Sequence, residues 1–185
     1  HCTSVADRFG VNVDNVRVEE FGSIYAPKGV TDFVVTADQT GLQKATMSFV
    51  VPKENYQGEP LSSVSKIEIL RNGKLIKTFE NPVLGATLTY EDEHSDFGFN
   101  TYGIVAYSGE NAGVKVEQTV FCGIYSLPYI VAPTQQEFSL FTIKDNNNDD
   151  NTWYYDISDG SLKYAYCSNS ADDYVVTPAI ELGTA

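Results

Sequence analysis

No stretch of this 185-residue chain carries a sustained 3.6-residue apolar stripe, whereas short runs alternating apolar and polar recur along it. A period of two belongs to strands with one buried face, so the pattern points to β-structure throughout. The runs cover residues 32–37, 45–51, 64–70, 75–79, 87–91, 102–107 and 114–121. Turn signals separate them: Gln39-Thr40-Gly41, Asn81-Pro82 and Gly109-Glu110-Asn111-Ala112-Gly113. Asn72-Gly73 between two apolar runs predicts a hairpin with a type I′ turn, which needs positive φ at both central residues. Twelve tyrosines and ten phenylalanines are available to fill sheet faces. The expected fold class is all-β, an antiparallel sandwich.

Charge narrows the partners. Twelve basic against 25 acidic residues give a formal net charge of −13 and a pI near 4.4. A nucleic-acid backbone or an anionic membrane surface would be repelled. Apolar residues at 42% and charged residues at 20% suit a chain with a packed core rather than a disordered one. No apolar run approaches the roughly 18 residues of a membrane span, and nothing reads as a signal peptide. The chain opens at His1-Cys2, as a mature protein or a piece of a longer one does. Cys2, Cys122 and Cys167 are odd in number, lack metal-finger spacing and form no Cys-x-x-Cys, so they are expected to be packing residues.

Composition shifts along the chain. Residues 1–128 hold 10 basic and 16 acidic side chains, and residues 129–185 hold 2 and 9. The change falls at Tyr125-Ser126-Leu127-Pro128 and Ala132-Pro133-Thr134, which reads as a linker, and a second boundary lies near Glu19-Glu20-Phe21-Gly22-Ser23. The chain divides into a head (1–22), a central sandwich (24–123) and an acidic tail (129–185).

The central segment resembles an immunoglobulin-like fibronectin type III domain. The likeness is carried by Ala26-Pro27 and the alternating strand after it, by the strand Ala45-Thr46-Met47-Ser48-Phe49-Val50-Val51, by Ile67-Glu68-Ile69-Leu70-Arg71-Asn72-Gly73, and by Tyr102-Gly103-Ile104-Val105-Ala106-Tyr107. Phe49 holds the slot of the family's core tryptophan, and Asn100 stands where its corner tyrosine falls.

The tail resembles the front half of a cleaved-adhesin (choice-of-anchor J, gingipain-type adhesin) β jelly-roll. An Asp-rich loop runs from Lys144-Asp145-Asn146-Asn147-Asn148-Asp149-Asp150-Asn151 to Trp153, and Tyr174-Val175-Val176-Thr177-Pro178-Ala179-Ile180-Glu181-Leu182 follows. Asn148 and Asp150 occupy positions where that family's loop usually carries glycine. In the head, Val11-Asn12-Val13-Asp14-Asn15-Val16 is similar to the family's closing strand. The resemblance implies the end of one jelly-roll, a complete fibronectin-like module and the start of a second jelly-roll.

Asp145-x-Asn147-x-Asp149 sets three oxygen donors at alternating positions in one loop, the donor type that calcium prefers. No glutamate lies where an EF-hand loop needs it. Asp172 and Asp173 are the carboxylates to complete the set from a neighbouring strand end, and the resemblance strengthens a structural calcium. The same residues also suit a solvated polar turn. Tyr154, Tyr155, Tyr164, Tyr166 and Tyr174 surround the loop in sequence, as strand packing or as a surface that stacks sugars or contacts protein. Glu91-Asp92-Glu93-His94-Ser95-Asp96 mimics a Ser-His-Asp set, but neighbours in one loop do not reach triad geometry and there is no Gly-x-Ser-x-Gly elbow. It reads as a solvated acidic loop, and no enzyme is expected.

The residues and resemblances together imply a non-catalytic binding or spacer segment of a secreted or cell-surface bacterial adhesin-like protein. Its ligand would be a protein or glycan on a host or cell surface, without nucleic-acid binding or membrane insertion. The alternative is an accessory region of a secreted hydrolase, peptidase or glycosidase, whose catalytic domain lies outside this chain. Open strand edges at the two partial jelly-rolls imply a strand-exchanged homo-oligomer.

Overall fold

The computed structural model describes residues 23–130, 134–165 and 172–183. The head with its closing-strand motif, Cys2, Cys167 and Tyr166 lie outside the described residues. Eight strands occupy the central region: β1 (Thr31–Ala37), β2 (Ala45–Val50), β3 (Lys66–Arg71), β4 (Lys74–Glu80), β5 (Thr87–Asp92), β6 (Gly98–Ser108), β7 (Asn111–Ala112) and β8 (Val116–Cys122). Each alternating run of the sequence forms one of them. Most ends fall within two residues of expectation, but β6 begins earlier, where Gly98 turns the chain with φ 101°.

The strands make two sheets. One has the order β1-β2-β5, and the other β4-β3-β6-β7, with β8 also paired to β6. Strands one, two and five against four, three, six and eight is the order of a fibronectin type III sandwich, so the all-β expectation holds for the central region. Burial alternates along β1 and β2, which gives the sheet one buried face.

The chain falls into two compact units. The first takes the segment ending at Phe33, Ser48–Leu88 and Tyr102–Gln118. In it β3 pairs antiparallel with both β4 and β6, setting Ile67 opposite Phe79 and Ala106. The β3–β4 turn has Asn72 at φ 50° and Gly73 at φ 80°, as the hairpin signal requires. Phe49, Val51, Val64, Ile67, Ile69 and Ile104 are fully buried, each worth about 1.5–3 kcal/mol for removal from water. Phe49 meets Phe79 edge to face at 6.2 Å. Backbones crowd at Gly113, where a Cβ would lie 2.4 Å from the carbonyl oxygen of Pro27. The next amide, Val114 N–H, donates to Tyr56 Oη at 2.7 Å.

The second unit takes Val34–Met47, Thr89–Thr101 and the chain from Thr119 onward. Val35, Met47 and Cys122 are buried in it, Cys122 as a free thiol. Asn100 is also fully buried. Its Nδ2 donates to the carbonyls of Asp96 (2.7 Å) and Gly98 (2.9 Å), and its Oδ1 accepts from Asp96 N–H at 3.3 Å. The amide thereby ties the approach to β6 from inside.

Beyond β8 the elements are short: β9 (Tyr125–Ser126), α1 (Gln135–Phe138), β10 (Thr142–Asp145), β11 (Trp153–Asp156), β12 (Ser161–Tyr164), β13 (Asp173–Val176) and β14 (Ile180–Glu181). β10 pairs antiparallel with β13, β11 antiparallel with β12, and β14 parallel with β9. Tyr125, expected in a linker, is a strand residue held on three sides. Its ring stacks on Phe121 at 4.9 Å and meets Phe97 edge-on at 5.8 Å, and its hydroxyl donates to both Glu137 oxygens at 2.8 and 2.9 Å. Tyr129 adds a second hydroxyl to Glu137 at 3.1 Å. Thr134 caps α1 by accepting from Glu137 N–H at 3.0 Å, which aims the one buried side chain of that helix.

Candidate functional site

The Asp-rich loop leaves the end of β10 and closes on itself. Asp145 accepts the backbone N–H groups of Asp149 (3.4 Å) and Asp150 (3.1 Å). Asp149 accepts Asn151 N–H through Oδ1 (2.9 Å) and Asn147 Nδ2 through Oδ2 (3.1 Å). Asn148 and Asp150 have φ of 54° and 61°. Asn and Asp are among the few residues other than glycine that enter this left-handed region readily.

Strand pairing brings the distant carboxylates in. β13 sets Asp173 directly opposite Asp145 and Tyr174 opposite Lys144. Asp173 Oδ2 accepts the Tyr164 hydroxyl at 3.0 Å, while its Oδ1 is buried with no hydrogen-bond partner among the described residues. Asp172 Oδ1 accepts the Tyr174 hydroxyl at 3.2 Å. The five sequence-predicted residues therefore divide. Asp145, Asn147 and Asp149 share the loop, Asp173 faces Asp145, and Asp172 is engaged by Tyr174. Among the described residues, no three His, Cys, Asp or Glu side chains form a group that could hold a metal ion.

The aromatic side chains divide as well. Trp153 and Tyr164 are cross-strand partners on β11 and β12, their rings edge to face at 5.5 Å. With Asp172, Asp173 and Tyr174 they line a pocket of about 280 Å³. Trp153 Nε1 and Thr152 Oγ1 are buried without hydrogen-bond partners among the described residues. Tyr155 instead stacks on Phe138 at 6.0 Å, and Tyr154 is 45% exposed outside the pocket. Trp153 was legible in the sequence only as the end of the Asp-rich loop. Its place beside Asp173 depends on a pairing between strands far apart in the chain.

Lys163 is occupied elsewhere in the tail. It bridges Asp156 at 2.5 Å and Asp159 at 2.6 Å. The Lys163 hydrogen bond, with Ser158 contributing, holds the Asp156 carboxyl well below the usual aspartate range. Asp172 and Asp173 form no ion pair among the described residues.

The acidic loop around His94 is a turn. Its backbone N–H donates to Asp92 Oδ1 at 3.2 Å; Asp92 and Ser95 are buried, and the histidine is exposed. No described helix is long and apolar enough to cross a membrane.

No family model matches the chain. No curated protein matches it in sequence. Among solved structures, an FN3 protein described as "FN3tt mut" aligns with a TM-score of 0.39 and 13% identity, over 52% of this chain and 96% of its own. Domains d3–d4 of the rat CD45 extracellular region align with a TM-score of 0.36 and 16% identity, over 65% of this chain and 74% of theirs. The strand order identifies the architecture of the central region as fibronectin type III-like.

Proposed function

We propose that this chain is a non-catalytic binding and spacer segment of a secreted or cell-surface bacterial adhesin-like protein. In this reading the fibronectin-like module is the spacer, between parts of two jelly-roll domains, and the acidic tail presents the ligand surface. Calcium stiffens that surface, held by Asp145, Asn147 and Asp149 with Asp172 and Asp173 as the strand-side carboxylates.

One observation carries the reading: Asp145 and Asp173 are paired directly across a ladder, with one Asp173 oxygen buried and unpartnered. Like charges directly opposite each other destabilise a sheet. A hard cation between them would reverse the sign of that interaction and supply the missing partner. The left-handed Asn148 and Asp150 support the adhesin-type loop, because they meet its glycine positions with residues that tolerate them.

Thermal unfolding in millimolar calcium and in EDTA tests the proposal. At a calcium concentration a hundred times Kd, mass action adds about 2.7 kcal/mol, which for a chain of this size raises Tm by roughly 5–10 °C. Identical Tm values in the two conditions would remove calcium and leave the tail loop as a polar turn.

A further inference from the structure

We propose that Asn72, at the tip of the β3–β4 hairpin, is a self-modification site. There the folded chain converts asparagine to aspartate and isoaspartate through a cyclic imide, with water as the co-reactant and no enzyme. The inference is independent of the reading of the tail.

The sequence singles out the position and the fold leaves it open. Asn72 is the one asparagine followed by glycine, so only here does the next amide nitrogen lack the shielding of a Cβ. Asn81 precedes a proline, which has no N–H to react. Both Asn72 and Gly73 are exposed, and nothing lies within 4 Å of the place a Cβ on Gly73 would take. The φ values of 50° and 80° set the two residues at the centre of the turn. In such a turn the hydrogen bond joins the first carbonyl to the fourth N–H, so the Gly73 N–H is not spent on the ladder.

The neighbouring charges favour the reaction. Arg71 and Lys74 are cross-strand partners on the two sides of the turn. Attack requires the Gly73 nitrogen to give up its proton, and flanking cations favour the anion that results. The Gly73 nitrogen then bonds to Asn72 Cγ and the Cγ–Nδ2 bond breaks. The amide group takes up a proton and leaves as ammonia. Water opens the ring at Cγ to give aspartate, or at the main-chain carbonyl to give an isoaspartyl link. Either product places a new carboxylate between the two cations.

The hairpin distinguishes the two products. Asp-Gly suits the same type I′ turn as Asn-Gly, so the aspartyl form keeps the pairing. An isoaspartyl link routes the main chain through the side-chain carbon and lengthens a two-residue turn whose geometry fixes the strand register. The loss falls on β4, which has only β3 beside it among the described strands.

The full chain is kept folded in mildly alkaline and in mildly acidic buffer, sampled over weeks, digested and read by peptide mass spectrometry. Isoaspartyl methyltransferase labelling identifies the isomer. Conversion at Asn72 should run several-fold faster than at any other asparagine, be faster in alkali, and yield both products. Hydrogen exchange should show protection across Lys74–Glu80 lost in the isoaspartyl form and kept in the aspartyl form. Asn72→Gly, which also suits the turn, should abolish the mass change and the labelling.

No conversion in the folded chain, or conversion only after unfolding in urea, would show that the turn protects the residue and would overturn the proposal. Faster conversion at Asn147 or Asn148 would do the same. Equal rates in acid and alkali would remove the nitrogen-anion step and the role of Arg71 and Lys74 with it.

Discussion

Asp145 and Asp173 stand directly opposite one another in the β10–β13 ladder, each at the loop end of its strand. Asp173→Asn keeps an oxygen for the Tyr164 hydroxyl and removes one of the two facing charges. In EDTA this variant should be slightly more stable than the parent, by about 0.2–1 kcal/mol, the range for cross-strand pairs. In calcium the order should invert, because the variant has lost a ligand. Parallel melts of both proteins give the answer, and a less stable variant in EDTA would show that the pairing carries no repulsion.

Asn100 makes three hydrogen bonds from a fully buried side chain at the entrance to β6. Asn100→Ala leaves backbone groups of Asp96 and Gly98 without these partners, at a cost of about 0.5–1.5 kcal/mol, the net range for an ordinary hydrogen bond, since both residues keep access to water. Urea unfolding should show a lower midpoint at an unchanged slope. An effect below a few tenths of a kcal/mol would mean that the amide does not hold the approach to β6.

The β11–β12 hairpin should be sensitive to acid. Lys163 lowers the Asp156 carboxyl below its unfolded range of about 3.9. A depressed carboxyl contributes stability that is fully present above the unfolded value and is lost as pH falls through the folded one. Hairpin amides should therefore stay protected above about pH 4 and lose protection progressively below it. Hydrogen exchange across that window checks this. Lys163→Met should weaken protection at neutral pH and flatten the acid dependence, and an unchanged profile would show that the ion pair is idle.

Glu137 is only 9% exposed and accepts hydroxyls from Tyr125 and Tyr129. Glu137→Ala removes that shared acceptor. Exchange at Tyr125–Ser126 and Ile180–Glu181, the two sides of the β9–β14 pairing, should accelerate by roughly tenfold or more, given about 1.5–3 kcal/mol for hydrogen bonds to a charged group. The same contact has an alkaline limb. Burial first, and Glu137 second, push the Tyr125 hydroxyl above the ordinary tyrosine value. Its contribution is thus complete below about pH 10 and is lost as pH rises through the raised value.

Much of the central module was legible residue by residue. The alternation around Phe33 and Val35, and around Met47 and Phe49, marked the buried faces, because a strand has no other way to present every second side chain to a core. Asn72-Gly73 announced its turn because few other dipeptides enter positive φ twice at low cost. The helix Gln135–Phe138 was not visible, since four residues are too few to display a 3.6-residue period. Its Thr134 cap and Glu137 acquire meaning only beside Tyr125 and Tyr129.

In the tail, the sequence by itself determined which residues bring charge and oxygen, and supplied at 148 and 150 residue types that tolerate positive φ. Those are local properties, set by side-chain type and backbone sterics. Only the tertiary structure decided which acids face each other, because register between β10 and β13 is chosen by the ladder and by the half-buried Ile143 and Val175 on it. It alone placed Trp153 and Asp173 around one pocket and left an atom of each without a partner. Hydrogen-bond satisfaction belongs to three-dimensional neighbours, and no sequence spacing encodes it.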